Sequence, residues 1–369
     1  MSHDSLASVV AFRDLHARIG DQLDVILSDS RTPEEAAQGM RFLLRVLAMS
    51  TEVVGDGNPR APFWARSDTP ARKVGGDNPD AEYDAVKLDG QYRYRIRGNA
   101  GTVSHFSLTF NAGGEGRRRT FDYRNESSLG LDANGNFTLV LSGTKPSEPG
   151  TWIETPEGPY SILVRQFIGS RDKETLATYE IEMLDDAERI ALQPHTDAEI
   201  AAGIRATAGA FQIMSSLHRF VYPELFDTPH TFVRANSDEL GADISGTDNL
   251  YMFSTFDLGD GEALVVDVQP LEVTYWNIAV MTRFHEILDY HTRPTSRTMT
   301  EVTPEPDGTI RLVLTHGQPV HPNWLDTAGH RYGILLFRWV GPRDAITDLP
   351  TATIVPLSEL DNVLAAKAK

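Results

Sequence analysis

Apolar residues near the start of the chain recur every three or four positions. Phe12, Leu15, Ile19, Leu23, Ile26 and Leu27 form the single stripe expected of an amphipathic helix. Thr32-Pro33-Glu34-Glu35 opens a second helix: the Thr32 hydroxyl caps it, Pro33 suits the first helical position and Glu35 completes a capping box. Met40, Leu43, Leu44 and Leu47 continue its buried face. The period then changes to two. Tyr92, Tyr94 and Ile96 alternate with Arg93, Arg95 and Arg97, and Phe106, Leu108 and Phe110 alternate with Ser107 and Thr109, which predicts half-buried strands. The same succession returns later. Thr196 and Glu199 form a capping box ahead of Ile200, Ile204, Phe211 and Leu217; strands rich in Val, Tyr and Trp follow at 262–269 and 274–284; Ser358 to Ala366 reads as a closing helix.

The recurrence extends to the residues themselves. TPEEAAQGMR (32–41) is answered by TDAEIAAGIR (196–205), GDNPDAEY (76–83) by GTDNLY (246–251), and the long block 135–165 by 308–338, with Trp152 aligned to Trp324 and Tyr160 to Tyr332. Ordered blocks of this kind indicate duplication of one supersecondary module. Gly135, Gly143, Gly150 and Gly158 punctuate short strands that do not alternate with helices. That argues for sandwiches and against a doubly wound parallel sheet. The expected fold is mainly β with helical additions, in two tandem related β-sandwich or jelly-roll-like modules. Residues 1–30 are an N-terminal helix, 31–192 the first module and 193–369 the second, with its closing helix.

Composition narrows the chemistry. The chain has 369 residues, 40% of them hydrophobic, enough for two cores. Its formal net charge of −18 opposes nucleic-acid and anionic-membrane binding, which need a basic footprint. No apolar run is long enough to span a bilayer, and the N-terminus carries charges where a signal peptide is apolar. Cysteine is absent, which removes disulfides, thiol nucleophiles and thiolate metal sites. The expected setting is the cytoplasm. GxSxG, GxxxxGK[ST] and GxGxxG are all missing, so nucleotide chemistry and the common serine hydrolase are disfavoured.

Candidate chemistry concentrates after the strand that contains Trp276. His285, Glu286, Asp289, Tyr290, His291, Arg293 and Arg297 bring carboxylate, imidazole and guanidinium together in one connection. Such a loop serves either as a site or as a connection laced with ion pairs. His285-Glu286 lacks the second histidine of a zincin helix, and a metal held by His285, Asp289 and His291 has no diagnostic spacing; no metal is expected. Asn323, Trp324, Asp326 and His330 form a second polar segment, although Trp324, like Trp152, is more simply a packing residue. Arg93, Arg95 and Arg97, with Arg117 to Arg119, are the one basic concentration: an anion clamp, or more simply a solvated face paired with acids.

The stretches 275–298, 307–314, PNWLDTAG (322–329) and GILLFRW (333–339) together resemble the bacterial family catalogued as domain of unknown function 1214, often preceded by a related region catalogued as 1254. The resemblance implies a β-sandwich or jelly-roll unit with helical additions and brings no activity. The residues therefore support two expectations. In the first, the chain is an enzyme, a hydrolase or lyase without cofactor, that acts on a small polar or anionic molecule, carbohydrate-like molecules included. Glu286 or Asp289 is the base and His285 its proton partner; Arg293 and Arg297 hold an anion, and Tyr290, Asn323 and His330 line the site. These residues would be exposed at one end of the second sandwich, where the two polar loops meet, so removing the His285 or Arg297 side chain would cost no more than about 1 kcal/mol of stability. In the second, the same loop stabilises a non-catalytic ligand-binding or assembly module. The expected partners are a small-molecule ligand and a second copy in a homodimer, which would cover exposed sheet edges.

Overall fold

The computed structural model describes residues 3–113, 119–185, 194–220, 223–236, 249–341 and 348–367. Arg117, Arg118 and the 246–248 end of one repeat block lie outside them. Contacts divide the chain into two compact units: residues 1–74 with 81–217, and 75–80 with 218–369.

The duplication is present strand for strand. Unit 1 contains β1 (Ala65–Arg66), β2 (Ala81–Asp89), β3 (Tyr94–Asn99), β4 (His105–Ala112), β5 (Arg119–Asn125), β6 (Asn136–Ser142), β7 (Thr151–Glu154), β8 (Pro159–Phe167) and β9 (Thr178–Met183). They form a five-stranded sheet ordered β1-β2-β8-β4-β5 and a four-stranded sheet ordered β7-β6-β3-β9. Unit 2 contains β10 (Val233–Asn236), β11 (Asn249–Asp257), β12 (Glu262–Val268), β13 (Tyr275–Met281), β14 (Ser296–Thr298), β15 (Ile310–Thr315), β16 (Trp324–Asp326), β17 (Tyr332–Val340) and β18 (Thr351–Pro356). Its sheets run β10-β11-β17-β13-β14 and β16-β15-β12-β18, the same two orders. Even a parallel pairing recurs, β6 with β7 and β15 with β16. The fold is therefore mainly β in two tandem related sandwiches, as the blocks imply.

Alternation explains each core. Inward residues of both sheets meet around Phe106, Leu108, Phe137, Leu139, Ile162 and Val164 in unit 1, and around Leu264, Leu312, Trp276, Leu335, Phe337 and Trp339 in unit 2. The outward face of the four-stranded sheet differs between units. In unit 2 it is apolar (Ala263, Val265, Val313, Val355) and packs against Leu357, Leu360, Val363 and Leu364 of the closing turn and helix Leu360–Lys367. In unit 1 it carries Arg95 and Arg97 instead.

Among the described residues, three α-helices belong to unit 1: α1 (Ala7–Asp29), α2 (Pro33–Met49) and α3 (Asp197–Ser215). The sequence boundary at 192/193 assigns α3 to the second module, but α3 packs against α1 and α2. Asp197 accepts hydrogen bonds from the Ala7 and Ser8 amides and the Ser8 hydroxyl, and Gln22 accepts from Ser215 and Ser216. Gln22 also corrects the α1 stripe. The buried line is Ala11, Leu15, Gln22 and Ile26, whereas Phe12 and Leu27 face outward. A polar residue held inside by serine hydroxyls rotates the buried face away from the hydropathy reading. The second cap forms in full and the first only in half. Thr196 and Glu199 bond reciprocally at 3.2 and 2.7 Å, whereas Thr32 accepts from the Glu35 amide at 3.1 Å but the Glu35 carboxylate accepts from the Arg31 amide, one residue ahead of the cap.

Because the Thr196 cap fixes the start of α3 beside its Asp197 anchor, Thr196→Ala should lower unfolding free energy by about 1 kcal/mol. Urea titration with an unchanged m-value checks this; an unchanged midpoint would mean that the cap is dispensable.

Candidate functional site

The expected site in unit 2 is built differently from an exposed loop. Thr282 to Leu288 folds back over the outward face of β13, with the Thr282 hydroxyl accepting from the Phe284 and Glu286 amides. His285 adopts φ 59°, a left-handed conformation unusual for a residue with a Cβ. Its ring is 3% exposed and Glu286 only 1%. Burial, with a smaller contribution from His218, pushes the His285 imidazole down to about 3. Its Nε2 has no hydrogen-bond partner among the described residues. A histidine so firmly neutral is a poor proton donor near neutral pH. Its backbone is structural: the His285 carbonyl accepts from the Gly76 amide at 2.7 Å.

The other expected residues do not converge on these two. Asp289 is exposed and closes a turn, accepting from the His291 amide at 3.1 Å and the Thr292 hydroxyl at 2.7 Å. Tyr290 packs against the apolar cluster of Phe253, Met281 and Leu336. Arg297 lies half-buried on edge strand β14, opposite core residue Ile278. The two polar loops do meet: Arg293 pairs with Asp326 at 2.8 Å, and the Asp326 amide donates to the Pro294 carbonyl. Asn323 spends its whole amide on backbone, donating to the Thr303 and Arg311 carbonyls and accepting from the Thr303 amide. His330 bonds the Thr327 carbonyl within the turn that follows. Trp324 and Trp152 occupy equivalent half-buried edge positions, each indole N–H donating to the neighbouring strand. They brace the sandwich edge rather than fill its core.

Arg95 and Arg97 both pair with Glu182, and Arg93 with Asp185 and Glu148, beside an open cleft of about 480 Å³. Among the described residues no cluster of histidine and acidic side chains has the arrangement of a metal site, and no helix is long and apolar enough to cross a membrane.

A constellation that the alternation pattern alone does not disclose lies in unit 1. β4 turns Phe106, Leu108 and Phe110 inward, so His105, Ser107 and Thr109 share the outward face with Arg165 of β8 and Tyr123 of β5. Glu126 Oε1 lies 3.2 Å from His105 Nδ1, and His105 Nε2 lies 3.3 Å from the Tyr123 hydroxyl. With its Nδ1–H given to the carboxylate, the imidazole keeps Nε2 as an acceptor for the phenol. Burial raises the Glu126 pKa, yet the bonds from His105 and from the Phe106 amide outweigh it and hold the carboxyl below its usual range. Arg165, 2% exposed, donates to the Thr109 hydroxyl at 2.7 Å, and Thr109 stands directly opposite Tyr123. Tyr123 itself is only half-buried.

The duplication provides an internal control. In unit 2 the register places Tyr275 where unit 1 has His105, Ser296 where it has Tyr123 and Met299 where it has Glu126. The twin sandwich forms without this carboxylate–imidazole–phenol series, so strand pairing does not require it. The only sequence sign of this group is a histidine in phase with Ser107 and Thr109; its partners arrive from another strand.

Comparison with known proteins gives a family without an activity. The family described as Protein of unknown function (DUF1214) matches residues 78–170 and 260–344, one segment in each half. No curated protein matches the chain. An uncharacterized protein from Burkholderia cenocepacia is similar in structure, with 26% identity over 94% of this chain and 97% of its own, and a TM-score of 0.86. A Vibrio parahaemolyticus protein is 12% identical over 76% of this chain and 90% of its own, with a TM-score of 0.48, too low to bear on function.

The buried His285 sets a pH dependence. Its folded value of about 3 lies below the value near 6.5 of an unfolded histidine, so the unfolded chain takes up the proton first as pH falls. This contribution is complete above about pH 6.5 and is lost progressively towards about pH 3. His285→Asn, which tolerates the left-handed backbone, should lower stability at pH 7 by about 2 kcal/mol rather than the 1 kcal/mol of an exposed residue, and should flatten the acid slope. Denaturant melts between pH 4 and pH 7 check both; parallel slopes for the two proteins would contradict the assignment.

Proposed function

We propose that this chain, which carries the DUF1214 segment in each half, is an enzyme that moves a proton on a small polar or anionic organic molecule through Glu126, His105 and Tyr123. The observation that carries the reading is a carboxylate–imidazole–phenol series present in one copy of the duplicated sheet and replaced in the other. His105 Nε2 takes the Tyr123 proton, and the Glu126 carboxylate steadies the imidazolium that forms. The phenolate oxygen then accepts a proton from a substrate carbon next to a carbonyl group, leaving an enolate; Tyr123 returns a proton to that carbon, and the His105 imidazolium gives its proton back to the phenolate. Arg165, on the same face, supports a substrate carboxylate. This keeps the acid–base chemistry expected from the sequence and assigns it to other residues. A second reading, a non-catalytic binding or assembly module, is supported by the burial of His285, Glu286 and Asn323, whose contacts serve the fold of unit 2.

Deuterium wash-in separates the two. Incubated in D2O with small 2-oxo acids such as pyruvate and 2-oxoglutarate, the protein should exchange the hydrogens beside the carbonyl. Tyr123→Phe and His105→Gln should each lower that exchange by about 100-fold, with unchanged circular dichroism. No exchange across the panel, or equal exchange in Tyr123→Phe, rejects the enzyme reading.

The homodimer is part of the same proposal. Phe12, Leu27 and Leu44 leave large apolar surface exposed on α1 and α2, which supports pairing with a second copy. Light scattering at micromolar concentration should give twice the chain mass, and a monomer mass would remove it.

A further inference from the structure

Unit 2 buries a guanidinium that, among the described residues, makes no ion pair. Arg338 of β17, 3% exposed, stands in register between Tyr251 of β11 and Asn277 of β13, on the outward face of the five-stranded sheet. Its Nη2 donates to the Gly76 and Asp77 carbonyls. Among the described residues its Nη1 has no acceptor and no carboxylate is in ion-pair contact with it. Asn277 next to it is fully buried; its Nδ2 donates to Asn78 Oδ1 at 2.7 Å and Asp80 Oδ2 at 3.3 Å, while its Oδ1 has no donor.

The groups that reach Arg338 and Asn277 belong to a strap, Gly75 to Asp80, which lies in unit 2 although the chain on both sides of it belongs to unit 1. Its ends and middle are tied differently. The Gly76 amide donates to the His285 carbonyl at 2.7 Å, the Ile287 amide to Asp77 Oδ1 at 2.9 Å, and Asn78 Nδ2 to the Tyr275 hydroxyl at 3.4 Å. Gly75 and Gly76 enter at φ 67° and 74°, two consecutive left-handed residues. Only glycine adopts that pair without strain, so no Cβ restricts the backbone at the entry and the strap is held by its hydrogen bonds.

A buried cation is costly unless something pairs with it, and carbonyl dipoles offset only part of that cost. An unpaired N–H beside an unpaired carbonyl oxygen, both fully enclosed, is complementary to an anion that also carries a hydroxyl. We infer that Arg338 and Asn277 form a site under the strap for a small hydroxy-carboxylate: the carboxylate accepts from Arg338 Nη1, the ligand hydroxyl donates to Asn277 Oδ1, and the Gly75–Asp80 strap lifts to admit it. The site is in a different unit from the proton relay and involves none of its residues, so either assignment can fail alone.

Glycolate is the probe, with acetate and inorganic phosphate as controls. In the full-length protein, glycolate should raise the melting temperature saturably and change hydrogen exchange at the Gly76 and Ile287 amides, with acetate weaker because it lacks the hydroxyl. Arg338→Gln should abolish both responses. If that variant does not fold, Asn277→Leu provides the second test: it should bind acetate and glycolate equally. Absence of saturable binding by wild type overturns the inference, as does binding that leaves exchange at Gly76 and Ile287 unchanged. Tighter binding of phosphate than glycolate also overturns the carboxylate assignment.

Discussion

The structure of either unit depends on the register of its central strand. β8 is hydrogen-bonded to β2 on one side and β4 on the other, and β17 to β11 and β13. Each presents one face to a core, with Ile162 and Val164 or Leu335, Phe337 and Trp339, and the other to a polar layer headed by Arg165 or Arg338. Side chains alternate with a period of two, so a slip of one residue would drive a guanidinium into the sandwich and expel an aromatic ring. The hydrophobic core therefore does more than stabilise. It fixes to within one residue where every outward polar group stands, and both candidate sites are built from those outward groups.

The polar layer is buried in both units, which imposes the same accounting on each: every donor and acceptor there needs a partner. The units meet it in different ways. Unit 1 chains side chains together, Glu126 to His105 to Tyr123 and Arg165 to Thr109. Unit 2 brings in the Gly75–Asp80 strap and the Thr282–Leu288 loop, whose backbone bonds part of the face and leaves Arg338 Nη1 and Asn277 Oδ1 without a partner among the described residues. A side-chain network can transfer a proton; a backbone clamp can only hold. The two outward faces thus differ in the kind of chemistry available to them, although the strands beneath are copies.

Much of the fold was legible in the sequence, because the features that specify it are periodic or repeated. The alternation at Tyr94 to Arg97 and Phe106 to Phe110, the two Thr-Glu caps and the ordered blocks all express local rules. What escaped was set by contacts distant in sequence. Gln22 is buried because Ser215 and Ser216 reach it, and α3 belongs to unit 1 because Asp197 anchors the start of α1. The candidate site failed to appear for the same reason. His285, Glu286 and Asp289 were prominent because they are adjacent in sequence, but the fold buries two and leaves the third in a turn. His105, Tyr123 and Glu126 are scattered through ordinary strand and turn sequence, and only the β4–β5 pairing brings them together.

In the segment PNWLDTAG, which carries the resemblance to the family, the polar side chains are bonded to the backbone around them. Asp326 Oδ1 accepts from the Gly317 and Ala328 amides, its Oδ2 takes Arg293, and Asn323 joins two further backbone segments. Ala328 and Gly329 follow at φ 51° and 82°, a left-handed pair that such bonds must hold in place. Each of these residues is demanded by geometry, and a substitution would leave a buried donor or acceptor unpaired, a cost of about 1–3 kcal/mol. Positions under that constraint remain recognisable whatever the protein does. Chemistry is then more usefully sought where the duplicated sheets differ although their register is the same; in this chain those positions include His105, Tyr123 and Glu126 against Tyr275, Ser296 and Met299, and Ser107 against Asn277.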